Sequence, residues 1–326
     1  MGIKNLNRFL KDNSASSINF TKLAKLSGKK IAVDISIYMY RFASDDNLIE
    51  NTYLMLSIFR YYNIIPIFIF DGKAPPEKRE LLMKRRQTKK EAEEEYKRLK
   101  VSLQNNDELD EIERQEIMCS MDGLKRKFVN VSSQDIEGVK GLIRAYGCEY
   151  YDAQGEADEI CALLAIKEKV WACLSEDMDM FVYGCPRVIR YFSLLNHTAV
   201  IYEMEPILKN LGISQKELRE ICVLSGTDYN SLDETDKTTT LNITLKYFKK
   251  YHKEKTDIDF YDWLTVKKKN YIKNIPLLLK INDMFDMSRR NIDNLMMDNI
   301  VIETGEINKQ ALKDILKEDG FVFPIM

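Results

Sequence analysis

Histidine is nearly absent from this sequence, and neither of its two occurrences, His197 and His252, has a partner at metal-ligand spacing. This scarcity argues against a histidine-based mechanism and against a zinc centre. Six cysteines occur, but none belongs to a CxxC pair and their spacing is irregular. Buried reduced thiols are therefore expected, rather than zinc ligands or disulfides.

Long apolar runs are missing as well. No stretch reaches the roughly 18 apolar residues of a membrane-spanning helix. The first residues, MGIKNLNRFLKDN, lack the apolar core of a secretory signal, and Leu6 stands where N-myristoylation needs Ser or Thr. We expect a soluble, intracellular chain without a membrane partner. Its 326 residues, 45% of them hydrophobic, suffice for a full core and an accessory domain.

Short apolar runs alternate with helical patterns along much of the chain. Buried strands are predicted at 29–34, 64–71, 148–152 and 170–174, with a further candidate near 188–192. Helices are predicted at 48–62, 137–146, 156–169 and 217–224. This alternation favours an α/β fold with a mostly parallel central sheet flanked by helices.

Two segments do not follow the alternation. Residues 77–130 are highly charged and are predicted to form a helical cap, or arch, inserted over the rim of the sheet. Residues 236–326 are rich in Lys and Asn and are predicted to be a helical C-terminal region. The α/β core would then consist of 1–76 and 131–235.

Seven carboxylates stand at or just beyond the ends of the apolar runs, in the segments IAVD, IPIFIFD, GEAD, SEDMD and GTDY. They are Asp34, Asp71, Glu156, Asp158, Asp177, Asp179 and Asp228. The carboxyl ends of parallel strands meet at one edge of a sheet, where open α/β folds place their sites. Clustered carboxylates stay ionised together only if cations hold them, and Mg²⁺ or Mn²⁺ prefer such oxygen ligands. Two such ions can activate water and stabilise the leaving oxygen of a phosphodiester.

Taken singly, each acid has a simpler explanation. Asp34, Asp71 or Asp228 alone would more often be a turn or cap residue, and Glu156 and Asp158 would be first-turn acids of a helix. Their joint placement at the ends of core elements favours a common site. Glu156 and Asp158 converge only if Glu156 lies in the non-helical residue before the helix, because side chains two apart on a helix diverge.

A basic run follows the Asp71 strand directly. Lys78 and Arg85 are seven residues apart, two turns along one helical face, and could supply a point charge and a fork of donors to a scissile phosphate. Alone, such a run is more often a solvated face. The net charge of −2 argues weakly against a nucleic-acid binder, but the acids of the proposed metal site contribute to it.

Several of these segments resemble the flap endonuclease family of structure-specific 5′ nucleases. MGIKNL, IAVDISIYMYRF, FIFDGKAPPEKRELLMKR, GEADEICALLA, SEDMDMFVYG and CVLSGTDY match family blocks in the same order over about residues 1–230. The resemblance implies a PIN-like α/β nuclease fold, two Mg²⁺ ions and incision near single-strand/double-strand junctions. It places all seven acids on metal positions and Lys78 and Arg85 on the catalytic basic pair that contacts the scissile phosphate.

The same resemblance predicts further DNA contacts. Tyr40 falls on an aromatic position that stacks on a displaced base, although a core aromatic is an equal alternative from spacing alone. The remaining predicted contacts belong to the basic run and are Lys84, Arg86, Lys89 and Lys90.

Three departures from the family pattern stand out. Asp158 replaces the usual Glu and is one methylene shorter. After GTDY the chain reads NSLDETDKTTTLNITLKYF, without the glycines of the turn that grips downstream duplex. The C-terminal DGFVFPIM lacks a sliding-clamp motif. The poxvirus branch of the family fits best, which would imply viral replication, recombination and break repair in the host cytoplasm; otherwise nucleus or cytoplasm is expected.

The sequence therefore predicts a Mg²⁺-dependent structure-specific DNA nuclease, acting as an endonuclease or 5′ exonuclease on branched or 5′-ended DNA. Its expected partners are DNA with junctions or ends and other replication proteins. Two alternatives are a DNA-binding scaffold with weakened catalysis and a ribonuclease, since no residue visibly reads a 2′-hydroxyl.

Overall fold

The computed structural model of the protein describes residues 3–105, 111–230, 240–254, 256–268, 271–288 and 300–321. Its strands are β1 (Ile18–Lys22), β2 (Lys30–Asp34), β3 (Ile65–Phe70), β4 (Glu149–Asp152), β5 (Ala172–Leu174), β6 (Arg187–Ser193) and β7 (Thr198–Glu203). The helices before β5 are α1 (Leu6–Ser14), α2 (Ile35–Ser44), α3 (Leu48–Tyr61), α4 (Arg79–Asn105), α5 (Glu111–Phe128), α6 (Ser133–Ala145) and α7 (Ala157–Ile166). Those after it are α8 (Asp179–Tyr183), α9 (Met204–Leu211), α10 (Gln215–Leu224), α11 (Leu241–Glu254), α12 (Phe260–Lys267), α13 (Ile275–Met284) and α14 (Lys309–Glu318).

The strands form one sheet in the order β1-β7-β6-β5-β2-β3-β4. The run from β6 to β4 is parallel throughout. The chain moves outward from β2 to β3 and β4 on one side, and then continues with β5 and β6 on the other. The strand order therefore reverses at β2, and such switch points open a crevice at the carboxyl edge. The predicted α/β fold with a mostly parallel sheet is confirmed.

Strands β1 and β7 were not predicted. They extend the sheet as an antiparallel edge, with β7 between β1 and β6. On β1 only Thr21 is buried, and Phe20 is 71% exposed. Because most of this edge strand faces solvent, it lacks the continuous apolar run that identified the central strands.

The core lies in two layers, one on each face of the sheet, because successive strand side chains point to opposite faces. Ala32 packs with α1 and α7 to α10, whereas its neighbours Ile31 and Val33 pack with α2, α3 and α6. Five cysteines, Cys148, Cys161, Cys173, Cys185 and Cys222, are buried free thiols as predicted. The side chain of Cys119 lies outside the described residues.

Two helical regions accompany this core. In the first, α4 and α5 pack against each other, with the rings of Tyr96 and Phe128 5.4 Å apart between centroids. In the second, α11 and α13 pack on α10, while α14 returns to α6 on the opposite face. The backbone of Gly305 donates to the Gly147 carbonyl at 2.7 Å and ties this return to the sheet edge. None of the helices that the structure describes is long and apolar enough to cross a membrane.

Candidate functional site

The first acids lie at the carboxyl edge of the central strands. Asp34 is the last residue of β2 and is 5% exposed. Asp71 directly follows β3, and its Oδ1 accepts a 2.8 Å hydrogen bond from the backbone N–H of Ala157, the first residue of α7. This bond joins the end of β3 to the start of α7, so two separate segments deliver acids to one place.

The start of α7 brings in the next pair. Glu156 has extended backbone angles, φ −87° and ψ 143°, and the helix begins one residue later. Glu156 therefore lies before the helix. This position lets its side chain converge with that of Asp158, whereas two side chains two residues apart within a helix would diverge. Asp158, which replaces the usual Glu, is within 3.5 Å of the Ser175 hydroxyl, and that hydroxyl donates to Asp34 Oδ2 at 3.0 Å.

The segment after β5 supplies two more acids. The backbone N–H of Asp177 donates to Ser175 Oγ at 3.1 Å, and that of Asp179 donates to Asp177 Oδ1 at 3.0 Å. These bonds fold the segment back towards Asp34. Both side chains are buried, and Asp179 Oδ1 has no hydrogen-bond partner in the part of the chain that the structure describes.

Mutual repulsion shows that the acids form one cluster. Burial and then the charges of Asp71 and Asp177 raise the pKa of Asp34 to about 7. Burial and four neighbouring aspartates hold the pKa of Asp158 well above its usual range. The pKa of Asp179 is likewise raised, first by burial and then by Asp177 and Asp228. The structure thus assembles the predicted carboxylates in one cluster with an excess of negative charge.

Two cations partly offset this charge. Lys78 is 7% exposed, and its Nζ lies 2.7 Å from Glu156 Oε1 and 4.8 Å from the centre of the Tyr229 ring. The guanidinium of Arg85 contacts Asp228 Oδ2 at 2.8 Å. Both residues reach the cluster, and in this structure they contact the acids themselves; their predicted contact with a scissile phosphate stays a prediction.

The cluster suits divalent cations by the chemistry of its donors rather than by their present spacing. Within the described ranges, no three Asp, Glu, His or Cys side chains already stand at ligand spacing around one point. The ion pairs of Lys78 and Arg85 account for part of this, since they occupy oxygens of Glu156 and Asp228. The chemistry of the donors fits hard cations, because the cluster is all carboxylate and keeps the partnerless oxygen of Asp179.

The other predicted DNA contacts lie on the flanking helices. Tyr40 on α2 is 46% exposed, and Lys89 Nζ lies 5.1 Å from its ring centre. Tyr40 is therefore not a core aromatic, which leaves a base-stacking role open to it. Lys84, Arg86 and Lys90 are exposed on α4. The turn after GTDY falls mostly on 231–239 and the C-terminal DGFVFPIM mostly on 322–326, outside the described residues.

Sequence reasoning missed two supporting residues inside the segments that it quoted. Ser175 bonds to Asp34, Asp158 and the backbone of Asp177, and Tyr229 donates its hydroxyl to Glu156 Oε2. Their only signal was their position beside the acids, because a hydroxyl acquires such a role through geometry alone. By contrast, Glu176 directly precedes the cluster acid Asp177 in sequence, yet its Oε1 accepts the N–H of Tyr191 at 2.7 Å.

Comparison with known proteins is consistent with this geometry. Residues 1–92 match the model of the XPG N-terminal domain, and 147–228 match that of the XPG I-region. Flap endonuclease 1 of Xenopus tropicalis is 28% identical over 247 residues, covering 70% of this chain and 61% of the relative. Flap endonuclease 1 of Eremothecium gossypii is 32% identical over 250 residues, with the same coverage. The alignments thus span less than two thirds of these relatives' length.

The fold is also found among solved structures. The catalytic core of Rad2 in complex with DNA substrate superposes with a TM-score of 0.64 at 22% identity, covering 97% of this chain and 94% of the other. At this identity the likeness concerns the fold. It extends beyond the regions that the two domain models match and includes the helical parts.

Proposed function

Because this chain belongs to the flap endonuclease/XPG family, we propose that it is a metal-dependent, structure-specific DNA nuclease. The observation that carries the proposal is the convergence of seven carboxylates at the switch point of the sheet, with Lys78 and Arg85 in contact with them. A cluster of this kind is costly without cations, and it offers no histidine or cysteine chemistry. The matched Rad2 core holds DNA, and DNA with junctions or 5′ ends is the substrate proposed here.

The acids would hold two Mg²⁺ ions, with Mn²⁺ as an alternative. Asp34, Asp71, Glu156 and Asp158 are assigned to one ion, and Asp177, Asp179 and Asp228 to the other. Ions held there would supply water activation and Lewis-acid stabilisation for phosphodiester hydrolysis.

The chain's own residues prepare this site. The N–H of Ala157 fixes Asp71, Ser175 holds Asp34 beside Asp158, and the Tyr229 hydroxyl orients Glu156. Each carboxylate is thereby positioned before any ligand arrives. Fixed donors and acceptors of this kind avoid reorganisation during the reaction.

Lys78 and Arg85 have a second role in this proposal. Cations held by the acids would replace their contacts with Lys78 and Arg85, and both side chains would then be free to donate to the non-bridging oxygens of the scissile phosphate. Lys78 supplies a compact charge, and Arg85 a planar fork of donors. Tyr40 provides a face on which a base next to the incision can stack.

Replacing Asp71 with Asn tests the assignment. Asn keeps an oxygen that can accept the Ala157 N–H, so the fold is retained while one anionic ligand is lost. Mg²⁺-dependent cleavage of a labelled 5′-flap substrate should fall about a thousand-fold or more, and DNA binding should persist. Asp152→Asn is the matched control, because Asp152 also ends a strand but pairs with Lys140 at 2.8 Å outside the cluster. A wild-type rate for Asp71→Asn under saturating Mg²⁺ would refute the site.

A substrate panel tests the function itself. It comprises 5′-flap, gapped duplex, Holliday junction, single-stranded DNA and RNA, each with Mg²⁺ and with EDTA. Preferential cleavage of branched or 5′-ended DNA supports the proposal. Binding without hydrolysis on every substrate favours the scaffold, and preference for RNA favours the ribonuclease. We further propose that the chain represents the poxvirus branch and acts in viral replication, recombination and break repair in the host cytoplasm, alongside other replication proteins.

A further inference from the structure

The helical C-terminal region reaches the segments of the acid cluster through an aromatic side chain. Phe285 directly follows α13 and is fully buried, at 0% exposure. The centre of its ring lies 4.7 Å from that of Tyr183 and 5.3 Å from that of Tyr229. Tyr183 is the last residue of α8, and Tyr229 directly follows the cluster acid Asp228. Phe285 therefore packs on two tyrosines in segments that carry cluster acids.

The two tyrosine hydroxyls form a hydrogen-bond chain that ends on Glu156. Their oxygens lie 3.2 Å apart, and the Tyr229 hydroxyl donates to Glu156 Oε2. A phenol has one proton to donate, and an ionised carboxylate only accepts. Because Tyr229 gives its proton to Glu156, Tyr183 must donate to the Tyr229 oxygen. The hydrogen-bond chain therefore runs in one direction, from Tyr183 through Tyr229 to Glu156.

This hydrogen-bond chain would still hold Glu156 during the proposed reaction. The other oxygen of Glu156, Oε1, contacts Lys78 Nζ at 2.7 Å, and bound cations would replace that contact. The Tyr229 hydroxyl would then still fix Glu156 Oε2. The direction of the carboxylate would therefore depend on where the Tyr229 ring lies.

Phe285 limits the position of that ring. The Phe285 and Tyr229 rings meet at 88°, an edge-to-face arrangement that aromatic pairs favour. Both tyrosines are also buried, Tyr183 at 4% and Tyr229 at 7% exposure. In a close-packed interior, a smaller side chain at position 285 would leave space into which the Tyr229 ring could move. Such a movement would displace the hydroxyl that holds Glu156.

Phe285 is itself fixed by the contact between α13 and α10. Arg219 on α10 contacts Asp286 Oδ2 at 2.9 Å, and Arg219 is 8% exposed. The Nε of Arg219 also donates to Asn282 Oδ1 at 3.3 Å. Since α10 leads directly into the segment of Tyr229, one pair of helices positions both the Phe285 ring and the Tyr229 ring.

We propose that Phe285 is a positioning residue for the acid cluster, acting through the rings of Tyr229 and Tyr183 to hold Glu156 in place during hydrolysis. This role rests on the proposed nuclease function, because it needs Glu156 to be a ligand at the reacting centre. The helical C-terminal region thereby contributes to the chemistry through a residue that is not itself a ligand.

A first pair of variants removes one buried ring each. Phe285→Leu removes the ring that packs on Tyr229. Phe260→Leu is the control, because Phe260 belongs to the same helical region and is 1% exposed, but its ring packs on Phe248 and Tyr251. The two substitutions delete the same atoms from equally buried positions.

A second, milder pair removes one buried hydroxyl each and keeps the ring. Tyr183→Phe deletes the first donor of the hydrogen-bond chain. Tyr261→Phe is its control, because the Tyr261 hydroxyl is also buried but donates to the Glu220 carbonyl at 2.8 Å. Since the packing is retained, both variants should fold even if the ring deletions lower stability.

Cleavage of a labelled 5′-flap substrate with Mg²⁺ gives the first readout. Phe285→Leu should lower kcat roughly ten- to a hundred-fold, because misplaced reacting groups cost rate. Tyr183→Phe should lower kcat roughly three- to ten-fold, the effect of one hydrogen bond. KM for DNA should stay unchanged, since neither residue contacts DNA in this proposal. Both control variants should keep the kcat of wild type.

A Tyr229→Phe background separates positioning from a general loss of structure. This variant lacks the hydroxyl through which Phe285 acts on Glu156. Adding Phe285→Leu or Tyr183→Phe to it should therefore lower kcat little further, because residues that act through one contact are not additive. A merely structural role would lower kcat by the same factor in both backgrounds.

A readout in EDTA does not depend on catalysis. The ¹³Cδ signal of the Glu156 carboxyl, assigned by its absence in Glu156→Gln, reports the surroundings of this group. It should shift in Phe285→Leu and in Tyr183→Phe, and stay in place in the two control variants. In the Tyr229→Phe background, Phe285→Leu should not shift it further.

An unchanged Glu156 signal in Phe285→Leu, equal losses of kcat in both backgrounds, or equal losses in the control variants would each overturn the positioning role. The two proposals fail in different ways. If wild type hydrolyses no substrate with Mg²⁺, the nuclease function fails, and the Glu156 signal still decides whether Phe285 positions that carboxylate. If wild type cuts and Phe285→Leu changes neither the signal nor kcat, the positioning role alone fails.

Discussion

Replacing Lys78 with methionine should destabilise the metal-free protein, and Mg²⁺ should remove most of that effect. Lys78 is 7% exposed and contacts Glu156 Oε1 at 2.7 Å. Methionine has a similar length and fills the same apolar space, but it has no charge. The substitution therefore leaves the partly buried Glu156 among other acids, with the Tyr229 hydroxyl as its remaining partner.

The size of the effect follows from this contact. Removing one partner of a buried ion pair costs about 3–5 kcal/mol, and the retained bond from Tyr229 places this case near the lower end, about 3 kcal/mol. The entropy of unfolding is about 2.1 cal/mol/K per residue near 60 °C. For 326 residues unfolding together, the loss corresponds to a fall in Tm of about 4 °C.

The protonation state of Lys78 does not weaken this prediction. Burial lowers the pKa of Lys78, but Glu156, Asp179 and Asp158 together raise it by more, so the pKa lies above its ordinary value. A raised lysine pKa contributes stability that is fully present at neutral pH and is lost only when the pH rises through the folded value. Measurements at pH 7 to 8 therefore compare a charged lysine with a neutral methionine.

The assay is thermal unfolding of wild type and Lys78→Met in EDTA and in saturating Mg²⁺. In EDTA the variant should unfold about 4 °C lower, whereas with Mg²⁺ the ions take over the role of the missing cation and the difference should shrink. Lys280→Met is the control, because Lys280 pairs with Glu77 at a similar 2.8 Å but is 63% exposed. An exposed pair contributes at most about 1 kcal/mol, or about 1.5 °C here. An equal deficit with and without Mg²⁺, or no deficit in EDTA, would refute the reasoning.

Two further predictions follow from the same site. Because the pKa of Asp34 is raised from 3.8 to about 7, the metal-free protein should lose stability as the pH rises from about 4 through 7. In Tm measurements in EDTA, Asp34→Asn should reduce this fall. A variant whose Tm has the same pH dependence as wild type would contradict the prediction. At Gly72, an added Cβ would lie 2.0 Å from the Ala153 carbonyl, so Gly72→Ala should lower both Tm and cleavage by separating the loops that carry Asp71 and Glu156. Gly138→Ala, whose Cβ would meet Ile49 at an ordinary 3.6 Å inside α6, should leave both intact or raise Tm slightly, and equal effects of the two substitutions would contradict the argument.

The strands that could be predicted from the sequence are those buried on both faces, because such burial makes a strand apolar along its length. Strands β2 and β3 are apolar along nearly their whole length because helices cover both faces, and an acid at the end of such a run therefore marks the rim of the sheet. Strand β1 has no apolar run, because its residues mostly face solvent. Its pairing with β7 also depends on a segment about 180 residues away in the sequence. The same asymmetry explains why the central strands were predicted and the antiparallel edge was not.

The candidate site could likewise be predicted only in part. Which acids converge could be predicted, because each follows a core element whose direction the sequence indicates. What holds them could not, because Arg85 and Asp228 lie 143 positions apart in the chain and meet only through the packing of α4 beside the turn at Thr227. Ser175 shows the same limit, since its hydroxyl joins Asp34, 141 positions earlier, to Asp158.

These long-range contacts also bear on how the proposed enzyme would respond to its ligands. The ionised acids are stabilised by positive charge, and in the metal-free protein Lys78 and Arg85 supply part of it. In the proposed enzyme, cations held by the cluster would compete with these two side chains, and each side chain displaced would be available to donate to a phosphate. Because linkage is reciprocal, DNA that engages Lys78 and Arg85 should raise the affinity for Mg²⁺ by the same factor by which Mg²⁺ raises the affinity for DNA. Lys78 and Arg85 contact the acids in this structure, and this is consistent with their proposed contact with a phosphate. Binding of cations to the acids and the availability of the two side chains as donors would be coupled through the same two contacts.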